Sequence, residues 1–474
     1  RVIVSLIFTY FLGEKGIIKG KDRRGRVALT DVKELFKYLL KNSKDFHQIL
    51  NRIFFEFLNS RAKNEMKIPD REQFSLIIPY LNGGLFREKR FKTKTGKTIG
   101  ESNLHFEGFS WEELIKELNQ YNWIIEEYVT KEDEEMIGNL TPEILGHIYE
   151  KFVITLYELG EINIDELSIL KTGEINKGRK KVGGYYTPED IVKYISENTL
   201  FPYVQTKMRL NNKFFSFEEL YDKFRTKTKK LEALDKNLSE ITILDTAVGS
   251  GHFLMGAAEL LYDWRKKCGT ELDDYSLRKT IILDNLYGVD IMEGAIEICK
   301  LRLWLWLTAS LSPDSKPEAL PNIEFNIREG NSLIGFIKEN KTGQGVLITH
   351  NVKDEIKEYM ENIKHFKKDQ KDSAKQKIRL DEQNSLLREK FDKWYSSFFL
   401  RTRKRRFLPR DLERLKIFHW VMEFPNIFNP ERGESGFDIV IGNPPWGVGV
   451  LKGEEKQILE NYTTSGSNEI SAYF

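Results

Sequence analysis

The chain has 474 residues, of which 40% are hydrophobic and 31% are charged, a composition typical of a soluble globular protein with two or three domains. Its net charge of +2 is too small to indicate a nucleic-acid partner by itself. The two cysteines, Cys268 and Cys299, have neither metal-site nor disulfide-framework spacing, which predicts a cytoplasmic protein without a bound metal. No apolar run reaches the ~18 residues that a membrane span requires. Because the sequence begins with Arg1 rather than methionine, we expect it to be part of a longer protein.

The first third of the chain has the periodicity of helices. Over residues 1–165 apolar residues recur at three- and four-residue spacing, as in the amphipathic stretch 32–40, which predicts a helical N-terminal domain. Thr141, followed by Pro142 and Glu143, predicts the capped start of one of these helices.

A basic segment with glycines, residues 177–184, leads into Tyr185-Tyr186-Thr187-Pro188. Thr187 is expected to cap a helix that Pro188 opens, so that its hydroxyl lies at a positive helix end able to hold a carboxylate. An ordinary capped helix after a solvated basic loop explains the same residues.

Two strand-like segments that end in acids indicate a doubly wound α/β domain. Residues 241–254 predict a strand, a tight glycine turn and a helix, and Gly249 and Gly251 allow the backbone to approach a ligand closely. The third glycine of a dinucleotide fingerprint is missing, so that interpretation is weak. Residues 286–290 predict a second strand that ends in Asp290, whose carboxylate can accept both hydroxyls of a ribose.

A third strand is expected over residues 323–327, and Asn331 follows it. Its amide can bind an adenine edge, or it can close a turn beside Gly330. Residues 352–416 are rich in charged side chains, which predicts long exposed helices. Within them, residues 401–406 form the sharpest basic cluster of the sequence, which suits phosphate contacts or a solvated face.

Residues 437–442 predict a buried strand that Gly442 ends, and Asn443-Pro444-Pro445-Trp446 follows it. The prolines stiffen the backbone and donate no hydrogen bond, which leaves the Asn443 side-chain oxygen and the Pro444 carbonyl as acceptors. Two acceptors suit a planar amino group, and Trp446 offers a face for stacking. The alternative is a proline-rich turn with a core tryptophan.

Taken in this order, the motifs at residues 185–188, 245–254, 288–290, 330–332 and 443–446 resemble the γ-class DNA adenine-N6 methyltransferases. The likeness is strongest to the catalytic region of type IIG restriction–modification enzymes and to the phage-defence methyltransferases of BREX systems. It implies an α/β fold, namely a Rossmann-like S-adenosylmethionine-dependent methyltransferase domain that is incomplete at the C-terminus. The expected domains are a helical N-terminal domain over 1–165, the first part of the core over 166–335, a charged helical insertion over 336–430, and the rest of the core over 431–474.

The resemblance implies roles for the matching residues. Asp245 and the 249–251 loop would hold the methionine part of S-adenosylmethionine, Thr187 its carboxylate, Asp290 its ribose, and Asn331 would lie by its adenine. The full set of implied cofactor-binding residues is Tyr186, Thr187, Asp245, Ala247, Gly249, Ser250, Gly251, Phe253, Asp290, Ile291, Asn331, Ser332 and Phe474. The implied catalytic residues are Asn443, Pro444, Pro445 and Trp446, and the expected DNA-binding residues are Arg401, Arg403, Lys404, Arg405 and Arg406. The sequence departs from the family at Thr246, where proline is common, and at Val248, where cysteine is common.

The function that the resemblance implies is methylation of N6 of an adenine flipped out of double-stranded DNA, in a restriction–modification or phage-defence system. A nuclease domain upstream and a target-recognition domain downstream are the expected partners in the full-length protein. Two alternatives stay open: methylation of a protein glutamine or RNA amino group, and a non-catalytic DNA-binding component.

Overall fold

The computed structural model describes the chain in segments of varying length. These are residues 2–21, 27–29, 31–42, 45–58, 65–67, 75–78, 81, 88, 90–92, 97–103, 108–125, 138–148, 187–210, 213–311, 320–336, 350–368, 373–403, 407–428 and 436–444. The chain divides into two compact units, Arg1–Leu145 with Leu301–Asn322, and Gly146–Lys300 with Ile323–Phe474.

The first unit contains the expected helices. They are α1 (Val2–Glu14), α2 (Val32–Asn42), α3 (Phe46–Asn51), which continues as a π-helix over Arg52–Phe57, and α4 (Trp111–Leu118). The predicted amphipathic stretch is α2, which buries Val32, Leu35, Phe36 and Leu39. Residues 142–148 are helical as well, and Thr141 caps this segment by accepting the Ile144 N–H at 3.2 Å.

The first unit also contains strands that the sequence did not predict. They are β1 (Lys19–Lys21), β2 (Val27–Leu29), β3 (Glu65–Lys67), β4 (Ser75–Ile77), β5 (Arg90–Lys92), β6 (Thr98–Gly100), β7 (Asn122–Trp123) and β8 (Asn139–Leu140). The first four form a sheet of order β2-β1-β4-β3, and the others pair as β5-β6 and β7-β8. Strands of two or three residues are too short to produce an alternating pattern, so the helical spacing around them dominates.

The second unit contains most of the remaining helices. They are α5 (Glu189–Lys207), α6 (Phe217–Phe224), α7 (Thr228–Glu240), α8 (His252–Lys267), α9 (Asp274–Thr280), α10 (Glu293–Ala309), α11 (His350–Lys368), α12 (Ser373–Arg403), α13 (Pro409–Arg414) and α14 (Trp420–Glu423). The end of α10, from Leu301 onward, is assigned to the first unit. Among the described residues no helix is long and apolar enough to cross a membrane.

The second unit is built on a parallel sheet, which confirms the predicted fold class. Its strands β9 (Ile243–Asp245), β10 (Leu286–Asp290), β11 (Ile327–Glu329) and β12 (Ile439–Val440) have the order β11-β10-β9-β12. Every pair is parallel. The strand order reverses between β9 and β12, and in open α/β sheets this switch point, at the carboxyl ends of the strands, is where ligands bind.

The third strand begins later than the sequence predicted. Residues 324–326 form a turn, and the strand runs over Ile327–Glu329 instead of residues 323–327. The cause is Asn326, which is fully buried and whose amide donates to the carbonyls of Ile282, Leu283 and Leu286. Because these bonds hold the turn against the start of β10, the ladder begins only at Ile327 opposite Gly288.

The charged helices α11 and α12 are present, but they are less exposed than predicted. Their sparse apolar residues gather on facing sides and form a core with residues around the sheet; it includes Tyr359, Phe366, Leu380, Leu387, Phe391 and Tyr395. Tyr395, which precedes the basic cluster, is 2% exposed and therefore belongs to this core.

Candidate active site

The carboxyl end of β9 lies against the turn after β12. Asp245 is 1% exposed, and its Oδ1 accepts the Ala247 N–H at 3.0 Å. A Cβ added at Gly442 would come within 2.6 Å of the same oxygen, so only glycine fits there without displacement. Burial is the main cause that raises the pKa of Asp245 to about 7; the Ala247 N–H opposes it, and the charge of Asp290 adds to it.

The glycine turn after β9 is tied to the end of β10. The Asp290 carboxylate accepts the N–H groups of Gly249 and Met292, each at 2.8 Å. Gly249 and Gly251 have φ values of +53° and +89°, in the left-handed region that glycine tolerates. Gly251 is also crowded, since a Cβ would approach Cys299 Sγ to 2.8 Å. The turn leads directly into α8. Ser250, which lies in the turn, and Phe253, which lies in α8, are both buried.

The side chain of Asn331 closes the loop after β11. Asn331 Oδ1 accepts the Leu333 N–H at 3.1 Å, which is the turn that the sequence allowed as one of two roles. Its backbone N–H donates to the Lys416 carbonyl at 2.7 Å, and the Ser332 carbonyl accepts Trp420 Nε1–H at 3.2 Å.

Thr187 and Asn443 meet although 256 positions separate them. Asn443 Nδ2 donates to Thr187 Oγ1 at 3.2 Å. The expectation that Thr187 caps the helix is wrong in this structure, because α5 begins at Glu189 with Pro188 as its N-cap residue, and no side chain caps it. Thr187 lies one position earlier, and its hydroxyl is used by Asn443 instead.

The turn after β12 presents Asn443 at an intermediate exposure and buries Pro444. Several predicted site residues lie outside the described residues: Tyr186, Lys404, Arg405, Arg406, Pro445, Trp446 and Phe474. Arg401 and Arg403 lie in the last turn of α12. Ile291 is 42% exposed directly after Asp290.

Asp438 fixes the amino end of β12 to its neighbours. It accepts hydrogen bonds from the Tyr203 hydroxyl and, at 2.9 Å each, from the backbone and hydroxyl of Thr242. Burial acts to raise the pKa of Asp438, but these hydrogen bonds outweigh it and hold the pKa below its ordinary value. Asp438 therefore orients β12 rather than taking part in the site at the opposite end of the strand.

Sequence reasoning did not single out Lys416, which joins two of the loops. Its Nζ donates to the Ile291 carbonyl at 3.0 Å and pairs with Glu329, while its own carbonyl accepts the Asn331 N–H. Its φ of 46° is unusual for a residue other than glycine. A lone lysine in a charged segment gives no sequence signal for such a role.

The site therefore combines two kinds of chemistry along one sheet edge. Asp245 and Asp290 supply carboxylates, which suit ammonium and hydroxyl groups, beside a glycine turn that admits a ligand. Asn443 and Pro444, which follow Gly442 at the end of β12, supply a side-chain amide and a backbone carbonyl.

Comparisons with known proteins match this region. Residues 284–474 match the family model of the Eco57I restriction-modification methylase, and residues 221–332 match that of the MmeI DNA-methyltransferase domain. A Methanocaldococcus jannaschii protein, named as a type II restriction enzyme and methyltransferase, is 31% identical over 97% of this chain and 41% of its own length.

Two further relatives match shorter parts. The adenine-specific methyltransferase PglX of Lacticaseibacillus casei is 28% identical over 29% of this chain and 12% of that protein. DNA methyltransferase A of Bacillus subtilis is 24% identical over 64% of this chain and 27% of that protein. The chain thus spans less than half the length of each of these relatives.

Among solved structures, the type IIL restriction–modification enzyme MmeI in complex with DNA is similar over 70% of this chain and 36% of that chain, with 17% identity and a TM-score of 0.40. A TM-score of this size carries no weight for the fold. The family models and the curated relatives confirm the resemblance that the sequence motifs indicated. Over residues 221–474 this chain is therefore similar to restriction–modification DNA methyltransferases.

Proposed function

We propose that this chain is the catalytic part of a site-specific DNA methyltransferase that transfers a methyl group from S-adenosylmethionine to N6 of a flipped-out adenine. The observation that carries the proposal is the position of Asn443-Pro444. The pair follows β12 at the switch point of the sheet, and Gly442, which precedes it, lies against the carboxylate of Asp245.

The side chains at the sheet edge fit the cofactor. Asp245 is a buried carboxylate that a cationic amino group would neutralise, and Asp290 is a carboxylate at the end of β10, a group that accepts the hydroxyls of a ribose. At Gly249 the missing side chain lets a ligand approach the backbone of the turn, which has the positive φ that glycine tolerates. When bound, S-adenosylmethionine supplies an electrophilic methyl group.

Asn443 and Pro444 would activate the adenine amino group by orienting it. The N6 lone pair is delocalised into the ring, so N6 is a poor nucleophile in its planar form. When the Asn443 side-chain oxygen and the Pro444 carbonyl accept its two hydrogens, a pyramidal nitrogen is favoured and the lone pair is directed toward the methyl group. This is catalysis by orientation and electrostatics, without a covalent intermediate on the protein.

A base within a duplex cannot reach this turn, so the target adenine must leave the stack. Pro445 and Trp446 are the next two residues of the sequence, and we propose that the Trp446 ring stacks on the flipped base. The basic residues 401–406 would contact the phosphates of double-stranded DNA.

The biological setting belongs to the same proposal. The name of the Methanocaldococcus jannaschii relative, a type II restriction enzyme and methyltransferase, supports a restriction–modification system. We propose that system, or a phage-defence system, acting on DNA in the cytoplasm. Because those relatives are more than twice as long as the matched region, a nuclease and a target-recognition domain are proposed for the remainder of the full-length protein.

Transfer of radiolabel tests the proposal and its alternatives together. The complete protein that contains this chain is incubated with methyl-labelled S-adenosylmethionine and with unmethylated DNA, RNA or total protein as acceptor. We expect label in DNA only, its loss in Asn443→Ala, and no change in Asn198→Ala, which removes an exposed asparagine from α5. Label in RNA or protein but not in DNA would contradict the proposed substrate.

A further inference from the structure

The hydrogen bond between Thr187 and Asn443 joins two rigidly held elements. Helix α5, which follows Thr187 and Pro188, packs so closely on α8 that a Cβ added at Gly256 would lie 2.6 Å from Val192 Cγ1. The turn after β12, which carries Asn443, packs through Gly442 against Asp245. The 3.2 Å hydrogen bond between Asn443 and Thr187 therefore connects two closely packed elements.

The direction of this bond determines what Asn443 offers to a ligand. A carboxamide has a donor end, Nδ2, and an acceptor end, Oδ1, which point in different directions. Because Nδ2 donates to Thr187 Oγ1, Oδ1 is directed away from Thr187 and remains an acceptor. Rotating the amide by 180° would place Nδ2 there instead, and its hydrogens would face those of an amino group.

We propose that Thr187 is a positioning residue that anchors the Asn443 amide through Nδ2, so that Oδ1 is directed at the target amino group. This inference rests on the proposed function. Thr187 acts through Asn443 and need not touch the base itself.

The threonine hydroxyl suits this task because it has two acceptor lone pairs and one hydrogen. One lone pair accepts the Asn443 Nδ2 hydrogen. An isosteric side chain without the hydroxyl would keep the packing and lose this hydrogen bond, so the amide would no longer be anchored and could rotate.

Three variants of the complete protein separate positioning from packing. Thr187→Val keeps the shape of the side chain and removes the hydroxyl, whereas Thr187→Ser keeps the hydroxyl. Thr206→Val makes the same chemical change on α5 at an exposed position whose hydroxyl bonds only within the helix, to the Pro202 carbonyl. Should Thr187→Val fail to fold, Thr187→Ala removes the same hydroxyl with less crowding.

We expect Thr187→Val to lower kcat by about ten- to a hundredfold, because misorientation of a reacting group costs up to about that factor. The KM values for S-adenosylmethionine and for the duplex should change by less than about threefold, since orientation matters most in the transition state. Thr187→Ser should retain kcat within about threefold, because its hydroxyl makes the same bond. Thr206→Val should behave like the wild type.

A readout independent of turnover uses a duplex with 2-aminopurine in place of the target adenine. This base fluoresces when it leaves the stack, and it lacks the 6-amino group that Asn443 would hold. We expect the same fluorescence increase on binding for the wild type and Thr187→Val, because flipping does not depend on the orientation of Asn443.

Three results would overturn the positioning role while the wild type methylates DNA. They are a wild-type kcat in Thr187→Val, an equal loss in Thr187→Ser and Thr187→Val, and a rise confined to the KM for S-adenosylmethionine. A wild-type protein that transfers no methyl group to DNA overturns the proposed function itself, and the positioning role with it.

Discussion

Asp245 gives the site a pH dependence. Burial raises its pKa to about 7, so below that pH the carboxyl group is neutral, and above it the group carries the negative charge that a cationic ligand needs. We therefore expect the affinity for S-adenosylmethionine to fall by up to about tenfold for each pH unit below this pKa. Calorimetric titration between about pH 5.5 and 8.5 measures the slope.

The matched variant for this prediction is Asp245→Asn, which has no titrating group at the position. It should bind S-adenosylmethionine weakly at every pH, without the slope. A wild-type affinity that does not change across this range would show that Asp245 does not contact the cofactor.

Gly442 is a steric requirement rather than a conformational one. It is absent from the glycines with positive φ, yet an alanine Cβ would lie 2.6 Å from Asp245 Oδ1. We expect Gly442→Ala to destabilise the protein by about 1–3 kcal/mol, as overpacking usually does. Urea unfolding measures the change, and Val440→Ala, at a neighbouring residue that is 39% exposed, is the control. Equal stability of the Gly442→Ala variant and the wild type would mean that the turn can move away from Asp245.

At the level of elements, Glu423 joins the charged helices to the sheet. Its side chain, 1% exposed, pairs with Arg328 of β11 at 3.1 Å and with Arg388 of α12. Removing one partner of a buried ion pair leaves an uncompensated charge, so we expect Glu423→Gln to lower the free energy of unfolding by roughly 3 kcal/mol.

The control is Glu389→Gln, which breaks an exposed ion pair with Lys393 on the same helix α12. It should leave the unfolding midpoint unchanged, because exposed pairs contribute little. If Glu423→Gln and Glu389→Gln unfold at the same urea concentration, the ion pairs of Glu423 with Arg328 and Arg388 do not anchor the helices.

The elements that the sequence predicted well are those determined by neighbouring residues. The strand, glycine turn and helix around Asp245 and the strand ending at Asp290 were found because their apolar runs and terminal acids are contiguous. The strand at Ile327 was displaced by Asn326, whose three carbonyl partners lie about forty positions earlier. A pattern of neighbouring residues cannot predict hydrogen-bond partners that lie so far away in the sequence.

At the scale of the whole molecule, the site is formed by residues far apart in the chain. The motifs indicated that Thr187, Asp245, Asp290 and Asn443 serve one site, because the family order connects them. The direct bond between Thr187 and Asn443 was not predictable, since it depends on how α5 and β12 are placed by the sheet. Lys416 was missed for the same reason.

We expect the basic cluster of residues 401–406 to contribute to the affinity for DNA rather than to methyl transfer. We expect the double variant Arg401→Gln with Arg403→Gln to weaken binding to all duplexes alike. Each lost phosphate contact should reduce the slope of log affinity against log salt by about 0.9. Arg379→Gln, on the same helix but paired with Glu358, is the control. Fluorescence anisotropy at several salt concentrations measures both quantities, and an unchanged slope in the double variant would mean that these arginines do not contact phosphates.

The central claim is that Asn443 holds the amino group of an adenine in DNA. Sequencing that reports modified bases tests it most directly, on DNA from cells expressing the complete gene, its Asn443→Ala variant or its Asn198→Ala variant. The account predicts N6-methyladenine at one short sequence motif in the wild type and in Asn198→Ala, and none in Asn443→Ala. Methyladenine that persists in Asn443→Ala, or its absence from cells expressing the wild type, would contradict the account.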